Sequence, residues 1–277
     1  MNKLREQAMK IVFLVAALVS VMAVALICVF LFANGVKAIA EIGVPQFLLG
    51  KEWTPTDNPA LYGIFPMILG SLYVTAGAVL IGVPTGVLCA VFLTYVCPDK
   101  LYKILKPCVD LLAGIPSVIY GFFGMAVIVP ITGNSILSAS LLLGIMILPT
   151  VIGLAESSLR AVPKEYYEGA LALGAGHYRS IFTVTLPAAR SGILAAVVLG
   201  IGRAIGETMA VIMVAGNQAR MPVSLLKGVR TLTANIVIEM GYASGLHREA
   251  LIATGVVLFV FVLIINLSFS ALKRRQD

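Results

Sequence analysis

Two residues of opposite charge, Arg203 and Glu207, lie inside a long apolar segment. A charge at the centre of a bilayer costs roughly 2.5–3.5 kcal/mol on insertion scales, so such residues face a bundle interior or a water-filled path. Four residues apart on a helix, the two side chains share one face and can pair. The guanidinium offers five donors to an oxyanion, and the carboxylate would keep the anion from binding permanently. The pattern indicates an anion path, with a structural ion pair as the alternative.

The composition indicates that these charges lie in a membrane. Of the 277 residues, 60% are hydrophobic and only 12% are charged, whereas soluble domains average about one quarter charged residues. The net charge of +7 does not indicate nucleic acid, because the basic residues lie at the ends of apolar runs without interleaved aromatic residues. We therefore predict an all-α integral membrane protein that contacts lipid and has no nucleic-acid partner.

Six apolar segments are long enough to be transmembrane helices. The first, at 11–33, is longer than the apolar region of a signal peptide, which favours a retained span over cleavage. The other five segments are 61–96, 111–131, 136–159, 188–215 and 250–272. A basic run at 273–275 ends the last one. We expect residues 1–60 to form a transmembrane helix and an external loop, and residues 61–277 to form a five-helix core.

The basic residues orient these spans. Thirteen of the twenty Lys and Arg residues fall on the side of the two termini, six fall on the other side, and Arg203 lies between them. An excess of Lys and Arg marks the cytoplasmic side of a membrane protein. We therefore expect both termini, and the segment 163–187, to face the cytoplasm.

The connecting segments carry further expectations. Residues 97–110 place three lysines at a three-residue spacing, which is typical of a short interfacial helix on the cytoplasmic side. The external segment 217–248 is too long for a plain connector, so part of it is expected to re-enter or cap the pore. Its basic residues could guide anions or meet an acidic binding protein, and ordinary interfacial charge explains them equally well. They are Arg220, Lys227, Arg230 and Arg248.

No pattern indicates catalysis or metal binding. The cysteines have neither CxxC spacing nor neighbouring histidines, which favours free structural thiols over a metal site. His177 and His247 lie far apart in the sequence, and neither is assigned a catalytic role. A membrane enzyme acting on lipid would need His, Asp or Glu clustered at one membrane face, and the sequence has no such cluster. A GxxxxGK[ST] phosphate loop is also missing, so we expect no cofactor here and ATP hydrolysis elsewhere.

The segment 163–187 is the one long polar-tolerant passage between very apolar runs. Pro163 precedes a run of helix formers, and Gly174 with Gly176 permits a sharp reversal, so we predict a helix, a glycine turn and a second helix. The passage resembles the cytoplasmic EAA loop of ATP-binding-cassette (ABC) importer permeases. Glu168, Ala170, Gly174, Leu186 and Pro187 match that pattern, while Gly169 replaces the first alanine and Val184 replaces an isoleucine. The resemblance implies that this loop couples the chain to a separate ATPase.

Two more stretches, LLAGIPSVIYGFFG at 111–124 and GRAIGETMAVIMVAGN at 202–217, extend the resemblance to the PstC-type phosphate-import permeases. That family implies a six-helix type I ABC importer permease fold in the bacterial inner membrane and inorganic phosphate as substrate. It implies as partners a sister permease of PstA type, an ATPase of PstB type that binds ATP, and an external phosphate-binding protein of PstS type. Arg203 and Glu207 fall where the family has its intramembrane charges.

Two other functions stay open at this point. The residues alone indicate only an anion, so the same fold could import another oxyanion such as sulfate or molybdate. A secondary anion transporter or channel would need no ATPase. The coupling loop argues against this second alternative.

Overall fold

The computed structural model describes residues 3–274, and Arg275, the last residue of the predicted basic run, lies outside the described residues. The helices are α1 Lys3–Ile42, α2 Val44–Leu49, α3 Phe65–Val91, α4 Asp99–Ala113, α5 Ser117–Phe123, α6 Val129–Thr132, α7 Ile136–Arg160, α8 Lys164–Ala172, α9 His177–Ser180, α10 Leu186–Ala188, α11 Arg190–Gly206, α12 Met209–Val214, α13 Leu232–Glu239 and α14 Gly245–Arg274. The π-helical turns Phe92–Val96, Gly124–Ile128 and Ile181–Thr185 extend α3, α5 and α9. Two short strands, β1 Trp53–Thr54 and β2 Leu61–Tyr62, form an antiparallel hairpin.

The architecture is that of a six-span helical membrane protein. Within the described part of the chain, α1, α3, α7 and α14 are each long and apolar enough to cross a membrane. Two bent helix pairs also pass when each is taken together, namely α4 with Ser117–Thr132 at 100° and His177–Ala188 with α11 at 72°. Counting each bent pair as one span gives the six spans that hydropathy predicts.

The core forms where α3 crosses α7. A Cβ added to Gly82 would lie 2.7 Å from the Gly144 carbonyl oxygen, and one added to Gly86 would lie 2.8 Å from Cγ1 of Val151. Glycine at these two positions therefore lets the helix backbones approach closely. Pro84 lies inside α3 without ending it, so the prediction of one continuous span here is confirmed.

The N-terminal helix α1 packs against the rest of the described chain through its C-terminal part. Side chains from 5 to 27 are exposed, whereas Ala38 is buried and Phe32 packs edge-on against Phe259 of α14. Beyond α1, Phe47 and Trp53 are buried in a cluster with Leu251. The predicted division of the chain at residue 60 stays a prediction.

Two predicted spans differ from the structure. The third span begins at Ser117 rather than at 111, because Gly114 and Pro116 separate α4 from α5 and proline cannot continue a helix interior. The fifth span is not one helix to 215. Its helix α11 ends at Gly206, and α12 begins at Met209. The helix predicted at 97–110 is present as α4, and its position at the membrane interface stays a prediction.

Candidate functional site

Arg203 lies in the last turn of α11 and reaches a neighbouring helix. Its Nη1 donates a hydrogen bond of 2.9 Å to Oγ1 of Thr150 on α7. Both residues line a cleft of about 380 Å³ with Asn266 of α14, and the remaining walls are Val198, Leu199 and Gly202. Three helices thus bring a cation, a hydroxyl and an amide to one otherwise apolar cleft.

Glu207 does not pair with Arg203, and the predicted pairing is wrong. The described side chains of these two residues have no nitrogen–oxygen pair within 4.0 Å. The i,i+4 geometry needs a continuous helix, but Glu207 has an extended backbone, with φ −70° and ψ 132°, just after α11 ends. Its Oε1 instead accepts from the backbone N–H groups of Thr208 at 3.1 Å and Ala210 at 3.2 Å.

The carboxylate of Glu207 therefore caps the start of α12. The first N–H groups of any helix lack partners within it, and a side-chain oxygen can satisfy them. The Glu207 carbonyl oxygen also accepts from Thr233 Oγ1 of α13 at 3.1 Å. These contacts hold the break between α11 and α12 in place, and they leave Arg203 without a carboxylate partner among the described residues.

The two sequence stretches that carry the family resemblance meet in space. Helix α5, from the first stretch, packs on α12, from the second, and glycines mark the contact. A Cβ added to Gly124 would lie 2.8 Å from Cγ1 of Val214, and one added to Gly121 would clash with Met213. The first stretch therefore forms a surface on which α12 rests directly.

The predicted helix–turn–helix at 163–187 is present. Gly174 has φ +86° and lies in the turn between α8 and α9, whereas Gly176 has φ −69° and caps α9. Only Gly174 therefore needs the conformational freedom of glycine. Glu168 and Gly169 lie exposed on α8 with Ala170 half-buried beside them, and Leu186 and Pro187 lie in α10.

Two tyrosines, which the sequence patterns did not indicate, fix this loop to the rest of the protein. The Tyr167 hydroxyl and Nδ1 of His177 are 2.6 Å apart, and the Tyr167 ring lies 5.7 Å from that of Tyr95 at the end of α3. The tip of the 163–187 loop is exposed by comparison, since Leu173 is 90% exposed and Tyr178 is 64% exposed. An anchored loop with an exposed apolar tip is typical of a surface that binds another protein.

Arg230 is not available to guide anions. Its Nη1 lies 2.5 Å from Oε1 of Glu239, which is buried, and 3.0 Å from Oδ1 of Asn235. Oε2 of Glu239 also accepts from Nε1 of Trp53 and contacts Nε2 of His247, each at 2.8 Å. Arg230 and His247 thus belong to a buried polar cluster that joins the hairpin, α13 and α14, while Arg220, Lys227 and Arg248 are exposed.

Comparisons with known proteins agree with this architecture. Residues 82–277 match the family described as binding-protein-dependent transport system inner membrane component. A probable ABC transporter permease of Bacillus subtilis, YqgH, is 37% identical over 96% of this chain and 91% of its own. The phosphate transport system permease protein PstC of Mesorhizobium japonicum is 33% identical over 86% of this chain and 81% of its own. The inward-facing MetNI methionine ABC transporter matches with a TM-score of 0.63 at 19% identity, covering 77% and 97% of the two chains.

Because the structure separates Arg203 from Glu207, their effects on transport should be independent. We expect Arg203→Gln to lower the initial rate of anion uptake about 10- to 100-fold, since it removes charge-assisted donors. Glu207→Gln keeps an acceptor for the Thr208 N–H group and should have a smaller effect. In the double variant the two effects should multiply, with a coupling free energy below about 0.5 kcal/mol.

Initial uptake should be measured in proteoliposomes that contain the assembled transporter. Its permease chain is the wild type, one of the two single variants or the double variant, and the amounts of complex are matched. Recovery of the double variant to near the wild-type rate would show that the two charges form a pair, and the anion path would then lose its main residue.

Proposed function

This chain belongs to the family of binding-protein-dependent transport system inner membrane components, and on that premise we propose that it imports inorganic phosphate as one permease subunit of an ATP-driven transporter. The observation that carries the substrate class is the Arg203 guanidinium, which faces a cleft and has no carboxylate partner in the described structure. The phosphate transport permease PstC relatives, at 32–35% identity, support phosphate as the substrate within that class.

The chemistry of the cleft suits a hydrated oxyanion that must shed water. Arg203 has five N–H donors and uses one of them on Thr150, so the others can meet anion oxygens. Sulfate and molybdate would satisfy the same donors. Phosphate also carries a proton near neutral pH, which needs an acceptor such as the amide oxygen of Asn266 at the cleft wall. A site with an acceptor rejects an anion that lacks the proton.

The energy for import would come from a partner. The exposed tip of 163–187 would dock on an ATPase of PstB type, which would bind the ATP, so this chain itself would need no cofactor and would not be an enzyme. Leu173 and Tyr178 supply apolar surface for that contact. By the same reasoning we infer a sister permease of PstA type, which would complete the path on the open side of the cleft, and an external phosphate-binding protein of PstS type.

We place the protein in the bacterial inner membrane with both termini and the 163–187 loop in the cytoplasm, as the excess of basic residues on that side indicates. In a cysteine-free background, Thr56→Cys and Arg220→Cys should react with an impermeant thiol reagent in intact cells, because both positions are exposed and belong to the segments that this orientation places outside. Gly176→Cys should react only after permeabilisation. Labelling of the Gly176→Cys protein in intact cells would reverse the orientation.

The function itself is tested by reconstitution of the full complex. Proteoliposomes with the chain, its sister permease, the ATPase and the binding protein should accumulate phosphate only when ATP is supplied. Sulfate at equal concentration should not compete, and the Arg203→Gln complex should show the reduced uptake expected above. Uptake without ATP would indicate a secondary transporter, and uptake of sulfate or molybdate in place of phosphate would indicate another oxyanion.

The coupling loop allows a matched pair of variants. Apart from the adjacent residues in the chain, no heavy atom of the described residues lies within 4 Å of a Cβ added at Gly174 or at Gly176. Gly174→Ala must nevertheless adopt a positive φ, which costs roughly 1–2 kcal/mol, whereas Gly176→Ala incurs no such strain. We expect Gly174→Ala to lower ATP-driven uptake several-fold and Gly176→Ala to leave it unchanged.

Uptake and ATPase activity should be measured together on both variants, after checking that the ATPase still co-purifies. Equal uptake by the two alanine variants would mean that the turn conformation has no part in coupling.

A further inference from the structure

A second buried carboxylate, Glu156, lies one turn before the end of α7, at the cytoplasmic side in the proposed orientation. It is 3% exposed. Its Oε1 accepts from the Tyr102 hydroxyl at 2.7 Å and from Nε of Arg160 at 2.9 Å. Its Oε2 lies 3.3 Å from Nζ of Lys106, without the alignment of a hydrogen bond. The guanidinium of Arg160 in turn covers the Tyr102 ring, 4.9 Å from its centroid.

This placement is unfavourable for a carboxylate taken alone. The end of a helix carries a partial negative charge, which repels an acidic side chain in the last turn. Removing a carboxylate from water is expensive as well, and a buried ion pair is often no more stabilising than an apolar replacement of the same volume. Stability is therefore a poor explanation for Glu156, and its contacts suggest a positional role.

The contacts of Glu156 form the charged link between α4 and α7. None of the residues 99–113, all of them described, is fully buried. The apolar stripe of Leu101, Ile104 and Leu111 points away from the protein. Tyr102 and Lys106 face α7 instead and meet the one carboxylate. The Tyr120 hydroxyl also donates to the Leu112 carbonyl at 2.8 Å and joins α4 to α5, so the polar cluster is the side-chain hydrogen-bonded link between α4 and α7 among the described residues.

The two helices joined here lead to different parts of the machinery. After Arg160, helix α7 continues into the loop 163–187 through α8, which starts at Lys164. After the 100° bend, α4 continues into α5, which packs on α12 through Gly121 and Gly124. Helix α12 begins at the break capped by Glu207. One carboxylate therefore connects the ATPase-facing loop with the segment beside Arg203.

We propose that Glu156 is a positioning residue that carries movement of the 163–187 loop, through α4 and α5, to α12 beside the anion cleft. The proposal rests on ATP-driven import but not on the identity of the anion. When the loop moves with the ATPase, α7 moves with it, and the charged contacts oblige α4 to follow. Without those contacts α4 would slide along the membrane surface and α12 would stay in place.

The test uses Glu156→Gln, which keeps the size of the side chain and an acceptor for Tyr102 but removes the charge. In the reconstituted complex we expect ATP hydrolysis to continue while the anion moved per ATP falls about tenfold, in line with the loss of charge-assisted contacts. Tyr102→Phe should lower the same ratio by a smaller factor. Glu6→Gln, which removes the carboxylate of the exposed Glu6–Lys10 pair, is the matched control and should leave the ratio unchanged.

A second readout reports on α12 directly. Met209 is 43% exposed at the start of α12, so Met209→Cys in a cysteine-free background should change its reactivity toward a thiol reagent when ATP is added. With Glu156→Gln present, that ATP-dependent change should disappear. A retained change, or hydrolysis and transport that fall in equal proportion, would overturn the proposal. If Glu156→Gln fails to assemble, the same two measurements on Tyr102→Phe decide, and an unchanged ratio and labelling overturn it.

A failure of the Glu156 proposal can be distinguished from a failure of the proposed phosphate import. A Met209→Cys complex with Glu156 unchanged that shows ATP-dependent labelling but imports no phosphate would contradict phosphate as the substrate. The proposed role of Glu156 would still stand. Phosphate import that survives with normal coupling in Glu156→Gln would do the reverse.

Discussion

The close contact of α3 with α7 is the constraint on which the other features depend. Gly82 and Gly86 bring the two backbones together, and Ser140 Oγ donates across the contact to the Val74 carbonyl at 3.3 Å. This contact places α7 at the centre of the fold. Thr150 and Glu156 are six residues apart on α7, roughly 9 Å along the helix axis, and they contact different neighbouring helices. One helix therefore holds both the contact to Arg203 and the contact to α4.

Polar contacts help to set the register between helices in such a fold. Lipid is as apolar as the helix surfaces, so it gives no hydrophobic preference for one register over another. Three charged groups of this chain lie where segments meet. Glu239 joins the hairpin, α13 and α14 at one end, Arg203 joins α11 to α7 in the middle, and Glu156 joins α7 to α4 at the other end. Apolar packing supplies contact area between the helices, and these groups determine which positions face each other.

The number of spans and the helix–turn–helix at 163–187 could be predicted, because apolar length and a glycine turn are local signals. The pairing of Arg203 with Glu207 could not, because it assumed a helix that continues past Gly206. The structure ends α11 there, and Thr233, 26 residues further along, holds the Glu207 carbonyl. The partners of Glu156 and Glu239 are also distant, 54 residues away for Tyr102 and 186 for Trp53. A contact over such separations leaves no spacing pattern in a single sequence.

The break at Glu207 divides the candidate site into two parts with different mechanical properties. Arg203 is held through Thr150 to α7, which is the most firmly packed helix of the fold. Helix α12, on the other side of the break, buries Ala210, Val211 and Val214 in the same core, but apart from its cap the hydrogen bonds that join it to other segments are between neutral groups, as between the break and α13 and between the Ser135 N–H group and the Val214 carbonyl. Moving α12 would break no ion pair among the described residues, whereas moving Arg203 would separate a charged donor from its acceptor in a medium of low dielectric. This difference favours a transport cycle in which the guanidinium keeps its position against α7 as that helix moves and access to it changes, so that anion affinity is regulated by exposure to water rather than by rearrangement of the donors.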